Sequence, residues 1–224
     1  MNTSAEWEQD FPKGYGHTSI AYLKRCDGFE DAKLGDISAA CFVVKKCVKA
    51  NKLSAVREKY PNAILLPILS RNALPLALAY AIGLPVWRYL YLSHTQFRKE
   101  LCAAQRLLHK PIFFGYIERN LEYIIVDDVV TQGGTVSALR KHVITNGGVV
   151  VAVVALAYAV GSHDIAPTDE SLTRLKAKHG DMTCFLQETG IAATMNELTN
   201  SQVRYLLRFS RIESLIRRLA YYTC

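Results

Sequence analysis

Twelve consecutive residues, Val149–Val160, run Val-Val-Val-Ala-Val-Val-Ala-Leu-Ala-Tyr-Ala-Val without a charge. The run is too short to cross a bilayer as a helix, and its β-branched side chains favour a strand. A strand that is apolar at nearly every position must be covered on both faces. A parallel sheet sandwiched between helices meets that requirement. The rest of the chain carries the matching alternation. Apolar segments Ala63–Ile68, Val86–Leu92, Ile112–Ile117 and Glu122–Asp127 read as strands, joined by Val149–Tyr158. Between them, Ser38–Lys49 with Ser38 as N-cap, Ser54–Tyr60, Ala73–Ile82 stopping at Gly83, and Thr135–Thr145 read as helices. The expected fold class is therefore α/β, a Rossmann-like parallel sheet with helices on both faces.

Beyond Pro167 the strand signals end. Asp169–His179 reads as a helix, and Thr199–Tyr221 as a longer one opened by Thr199 and Gln202 in capping-box spacing. Residues 1–36 are punctuated by Gly14, Gly16, Gly28 and Gly35 and are expected to be irregular. Three regions follow: an N-terminal segment 1–36, a sheet domain 37–166 and a helical extension 167–224. With 50% hydrophobic and 21% charged residues, the chain can bury a sizeable core, which excludes wholesale disorder. No apolar signal region opens it, and no segment suits a membrane span. Its six cysteines form no C-x-x-C pair or metal-ligand cadence. A cytoplasmic protein with reduced thiols is the expectation.

The segment Tyr123-Ile-Ile-Val-Asp127-Asp128-Val-Val-Thr131-Gln132-Gly133-Gly134-Thr135 carries the chemistry. Apolar residues deliver two consecutive carboxylates to the carboxyl end of a buried strand, the edge where open α/β sheets bind ligands. A loop with two threonines and two glycines then leads into a helix start. Glycines admit a phosphate close to backbone N–H groups, the helix terminus adds unpaired donors, and each threonine can donate one more hydrogen bond. Ionised carboxylates only accept, which suits ribose hydroxyls directly or through a divalent cation. A phosphorylated polyol satisfies both halves of the motif. The net charge of +7 agrees with an anionic ligand.

This segment resembles the 5-phosphoribosyl 1-pyrophosphate (PRPP) signature of type I phosphoribosyltransferases. The resemblance continues upstream through Leu65–Pro75, the following helix and Gly83-Leu-Pro-Val86, and covers roughly residues 60–160. It implies that Asp127 and Asp128 hold the ribose hydroxyls, partly through Mg²⁺, and that Thr131, Gln132, Gly133, Gly134 and Thr135 cradle the 5′-phosphate. Ser70, Arg71 and Asn72 would form the pyrophosphate loop. A mobile loop would fall in Ser93–Lys110, with Arg98 and Lys99 as its pyrophosphate contacts. Those two are equally readable as solvated residues of an amphipathic helix. Arg98, Lys99 and Arg71 are thus the implied catalytic residues. The N-terminal segment is a candidate part of a hood, and a homodimer is implied.

The implied reaction moves the phosphoribosyl group of PRPP to a nitrogenous, nucleobase-like acceptor with release of pyrophosphate. The loop Ser-Arg-Asn-Ala is poorer in glycine than in many relatives, which motivates an alternative: a PRPP-fold binding protein without transferase activity, acting as a regulator or effector. Thr131 stands where the 6-oxopurine salvage branch has an Asp, which argues against hypoxanthine or guanine as acceptor. His163 and Asp164 follow the last strand and read either as acceptor contacts or as a polar loop. In the extension, a helical wheel at about 100° per residue gathers Arg204, Arg208, Arg211 and Arg218 on one face. Tyr205, Phe209, Ile212, Ile216 and Leu219 gather beside them. The apolar stripe should dock on the core or a partner subunit. The arginine face reads as solvated, or as a site for nucleic-acid phosphates or an acidic protein.

Overall fold

The computed structural model describes residues 14–93, 101–160 and 164–221. Four strands make one fully parallel sheet: β1 (Tyr15–Thr18), β2 (Ile64–Pro67), β5 (Glu122–Val130) and β6 (Val149–Tyr158), in the order β1-β6-β5-β2. The α/β class and the parallel sheet expected from the apolar runs are what the chain adopts. Helices α1 (Ile20–Lys24), α2 (Phe29–Lys33), α3 (Ile37–Cys47), α4 (Ala50–Lys59) and α5 (Leu74–Ile82) precede or join the first strands. Helix α7 (Gly134–Thr145) links β5 to β6. Alternation along the strands feeds both faces. Leu65, Ile124, Val126 and Val154 pack with Val43, Val44, Leu74 and Leu78 of α3 and α5. Leu66, Ile125, Val153 and Ala155 pack with Val136, Leu139 and Val143 of α7.

Three expectations are corrected. Residues 15–33 are not irregular: Tyr15, Gly16 and Thr18 pair with Val154, Ala155 and Ala157, so the N-terminal segment supplies an edge strand and two short helices. Its glycines misled the reading, although one of them, Gly28, merely begins α2 in the left-handed conformation. Helix α3 is capped by Asp36, whose carboxylate accepts from the Ala39 N–H at 2.9 Å, rather than by Ser38. The expected strand Val86–Leu92 is divided. Val86 bridges Leu65 beside β2, whereas β3 (Leu90–Ser93) turns away and pairs antiparallel with β4 (Ile112–Gly115). Of the expected strand Ile112–Ile117, Ile112–Gly115 therefore belongs to a two-stranded ribbon outside the main sheet.

The C-terminal region builds its own core. Leu175 of α8 (Asp169–His179), Leu186 of α9 (Thr183–Glu188), Val203 and Leu206 of α10 (Asn200–Leu206), and Leu215 and Leu219 of α11 (Ile212–Ala220) are buried together. Ala104 and Leu107 of α6 (Ala103–Leu108) enter the same cluster. The single long helix expected over 199–221 is two helices. Their break exposes the last carbonyls of α10, and α8 supplies the partners: Lys178 Nζ donates to the Leu207 carbonyl at 2.6 Å, and His179 Nε2 lies 3.3 Å from that of Leu206. Cations at a helix C-terminus satisfy both its orphan carbonyls and its dipole. The break lets Leu206 and Leu215 reach one core, so tertiary packing overrides local helix propensity.

It also dissolves the arginine face. Arg204 lies on α10, Arg208 beyond its end, Arg211 at the N-cap of α11 and Arg218 near the end of α11. Arg204 donates to the Val160 carbonyl at 3.2 Å. Of the apolar stripe, Leu219 is buried, Tyr205, Phe209 and Ile212 pack against the same core, and Ile216 is exposed. Among the described residues, no helix is long and apolar enough to cross a membrane.

One side chain stitches the extension to the sheet domain. Thr199, 1% exposed, caps α10 by accepting from the Gln202 N–H at 3.2 Å, while Gln202 reaches back to the Thr199 N–H at 2.8 Å. The same hydroxyl donates to the Gln132 carbonyl at 2.5 Å. Thr199→Val removes the cap and the hydrogen bond to the half-buried Gln132 carbonyl. It should lower stability by about 1–3 kcal/mol, read as a fall in the urea midpoint at unchanged slope. Thr199→Ser keeps the hydroxyl and should lose less than half as much.

Candidate functional site

Strand β5 continues to Val130, past the expected end at Asp127, because β6 pairs with it throughout: Asp127 lies opposite Ala155, Val129 opposite Ala157 and Val130 opposite Tyr158. The two acids therefore sit within an extended ladder, where successive side chains diverge. Asp128, 5% exposed, is paired with Lys33, the last residue of α2. Asp127 is turned back on its neighbour, its Oδ1 accepting from the Asp128 N–H at 2.8 Å. Burial first, and the negative charge of Asp128 second, push the Asp127 carboxyl up to about 8. Burial, and then the nearby Asp127, push the Tyr158 phenol up as well. That phenol donates to the Val153 carbonyl at 3.2 Å.

The loop after β5 begins α7 one residue earlier than expected, at Gly134. Gly133 occupies the left-handed region at φ 72°, which glycine adopts without strain, and among the described residues no side chain caps the helix start. A Cβ on Gly133 would stand 3.2 Å from Ile165 and 3.4 Å from Thr199, so the loop rests directly on the extension. Gln132 reaches toward α6, its Nε2 3.5 Å from the Ala103 carbonyl. Thr131, Gln132, Gly133, Gly134 and Thr135 line one cleft of about 210 Å³ with Asp127 and Asp128. The residues grouped by the sequence signature are thus neighbours in space.

Lys33 and Arg106 line that cleft too, and sequence reasoning missed both. Lys33 lay in the segment expected to be irregular; the only local signal is Phe29 and Ala32 at helical spacing. Arg106 lay in the stretch Ser93–Lys110 expected to be mobile, of which Ala103–Leu108 forms α6. Its Nε is buried and meets no acceptor among the described residues. An orphaned guanidinium N–H beside an uncapped helix start is suited to an anion.

Other sequence candidates stand elsewhere. Ser70, Arg71 and Asn72 follow β2 at the same sheet edge but do not line the cleft. Ser70 Oγ accepts from the Asn72 N–H, and Asn72 Oδ1 from the Leu74 N–H, each at 3.1 Å. The Arg71 guanidinium donates to the Leu34 carbonyl at 3.1 Å. Asp164 is exposed, whereas Arg98, Lys99 and His163 lie outside the described residues.

The donor set agrees with a Mg²⁺ ion that arrives with its ligand. One or two carboxylates, completed by phosphate oxygens and water, are its usual protein-side coordination. Among the described residues, no group of three or more His, Cys, Asp or Glu could hold a metal ion.

No family model matches the chain. Protein TraN of Escherichia coli is 27% identical over 225 residues, covering 94% of this chain and 50% of TraN. An uncharacterized protein of Haemophilus influenzae is 28% identical over 151 residues, 62% of this chain and 34% of that protein. The chain thus spans about half and about a third of the lengths of these curated relatives. Among solved structures, an adenine phosphoribosyltransferase superposes with a TM-score of 0.38 at 19% identity, over 52% of this chain and 70% of that one. A purine phosphoribosyltransferase from Pyrococcus horikoshii Ot3 gives 0.34 at 14% identity, over 66% and 89%. Leishmania donovani UMP synthase gives 0.34 at 15%, over 71% and 32%. These likenesses are too distant to assign a reaction.

The raised Asp127 carboxyl has a consequence for stability. The folded chain holds this proton more tightly than the unfolded chain, so the contribution is complete at low pH and is lost as pH rises from about 4 to about 8. Asp127→Asn keeps the acceptor for the Asp128 N–H and cannot ionise. Its melting temperature should exceed that of the wild type by at least about 2 °C above the raised value. The gap should close as pH falls toward the ordinary carboxylate range, which calorimetry across pH would read.

Proposed function

We propose that the chain binds PRPP with Mg²⁺ at the carboxyl edge of β5 and transfers its phosphoribosyl group to a nitrogenous acceptor, releasing pyrophosphate. The observation that carries this reading is the single cleft in which Asp127, Asp128 and the whole 131–135 loop meet two cations. In the binding step, the loop N–H groups and threonine hydroxyls take the 5′-phosphate, and the carboxylates accept from the ribose hydroxyls. Asp127 must lose its proton and Asp128 must share or release Lys33 for this to happen. A bound Mg²⁺ supplies positive charge for both the carboxylates and the leaving pyrophosphate. Arg106, whose Nε meets no partner among the described residues, is the described cation best suited to the pyrophosphate. Displacement at the anomeric carbon then needs positioning and charge stabilisation rather than a protein nucleophile.

A second reading has its own support. Arg71 is held on the Leu34 carbonyl, away from the cleft lining, so the loop expected to grip pyrophosphate has its guanidinium engaged elsewhere. That arrangement favours a PRPP-binding regulator or effector without transferase activity. Pyrophosphate release from PRPP, screened against nucleobases, orotate and nucleotides, separates the two. Acceptor-dependent release supports transfer, and binding without release supports the regulator.

Both readings require the site. Titration calorimetry with PRPP and Mg²⁺ should show saturable binding, weakened about a hundredfold by Asp127→Asn with Asp128→Asn, which remove two charge-assisted acceptors. Wild-type affinity in that double variant would dismiss the ribose assignment. Arg106→Gln should cost PRPP about tenfold and ribose 5-phosphate less. Equal losses would count against placing Arg106 beside the pyrophosphate.

A further inference from the structure

Lys33 is held more firmly than a lysine at the end of a short helix needs to be. Its neighbours on both sides are fastened to the turn after β2. The Ala32 carbonyl accepts from the Ala73 N–H at 3.0 Å, and the Leu34 carbonyl from the Arg71 guanidinium at 3.1 Å. Phe29, one turn earlier, is buried, and its ring centroid lies 5.9 Å from Lys33 Nζ. The side chain is left only 17% exposed, and its ammonium donates to Asp128 Oδ2. An ammonium carries three donors, so one is spent on Asp128 and two remain for a ligand. The group lines the sheet-edge cleft together with Asp127 and the 131–135 loop. A cation fixed on a carboxylate, with donors to spare for a hydroxyl oxygen, does the work of a divalent ion bridging the two. Mg²⁺ itself is poorly furnished here. It gives up water reluctantly and favours phosphate oxygens beside one or two carboxylates. Asp128 already holds an ammonium, and Asp127 accepts from the Asp128 N–H. A ligand with a pyrophosphate brings the missing oxygens, and a ligand without one does not.

We infer, resting on the phosphoribosyl reading of this cleft, that Lys33 is its resident counter-cation and that pentose 5-phosphates without a pyrophosphate bind there without a divalent ion. Lys33 stays on Asp128 and donates a second hydrogen bond to a ribose hydroxyl oxygen, while the 131–135 loop takes the phosphate. The need for Mg²⁺ then belongs to the pyrophosphate of PRPP and not to the ribose.

Titration calorimetry of the full chain with ribose 5-phosphate, in EDTA and again in excess Mg²⁺, tests the inference. The wild type should bind saturably in both buffers, with affinities that agree within about threefold. Lys33→Met keeps an apolar stem and removes the charge. It should bind about tenfold more weakly than the wild type in EDTA, a deficit that shrinks to about threefold in Mg²⁺. Recovery by the metal separates a lost cation from a disturbed fold, and the wild-type comparison stands even if Lys33→Met does not fold. A larger gap between buffers in the wild type would overturn the inference, as would Lys33→Met that matches the wild type in EDTA or loses equally in both buffers. Absence of ribose 5-phosphate binding in either buffer would overturn it too. Titration with PRPP and Mg²⁺ then tells the two failures apart: retained PRPP binding leaves the site reading standing, and absent PRPP binding removes both.

Discussion

A central strand buried on both faces that ends in two adjacent acids sets the problem the rest of this fold has to solve. β5 is flanked by β2 and β6, and Tyr123 through Val126 are fully buried. Pairing continues past Val126 and carries Asp127 and Asp128 into the ladder, where ionised carboxylates are expensive. Two different devices answer. Asp128 is paired with Lys33, and Asp127 is driven toward its neutral form by burial and by Asp128. The pair is thus held unequal before any ligand arrives, as expected when close carboxylates cannot both ionise freely.

Those devices make the flanking regions part of the site rather than decoration on it. Lys33 exists at the sheet edge only because the N-terminal segment adds β1 beside β6 and folds α1 and α2 back over the sheet. From the other side, Thr199 and Ile165 brace the loop at Gln132 and Gly133, and α6 delivers Arg106 while packing Leu107 into the core of the extension. The cleft is assembled from three stretches of chain separated by tens of residues. A rigid support on both sides is what allows a glycine loop to keep its amides in place for an anion.

The same construction produces a second, more basic cleft. Helix α7 starts at the sheet edge and carries Arg140 and Lys141 along its flank, where the extension docks and contributes Glu197. The two clefts differ in electrostatic character: the first opposes two acids with two cations, whereas the second is cationic in excess.

Local pattern was enough for much of this. The unbroken apolar runs determined a sheet covered on both faces, because no one-sided sheet tolerates Val149–Tyr158. The spacing from Asp127 to Thr135 determined that two carboxylates and a glycine loop share one edge, since a strand, a tight turn and a helix start leave them nowhere else to go. Contacts between distant segments decided the rest. Local sequence could not reveal that Lys33 would reach Asp128 across 95 positions, or that Thr199 would reach Gln132 across 67. Nor could it reveal that α10 would end where Lys178 and His179 offer to hold its carbonyls, which scatters the four arginines from one face. Periodicity reports which surface an element buries. Which partner buries it, and which charges meet there, is set only when the layers close.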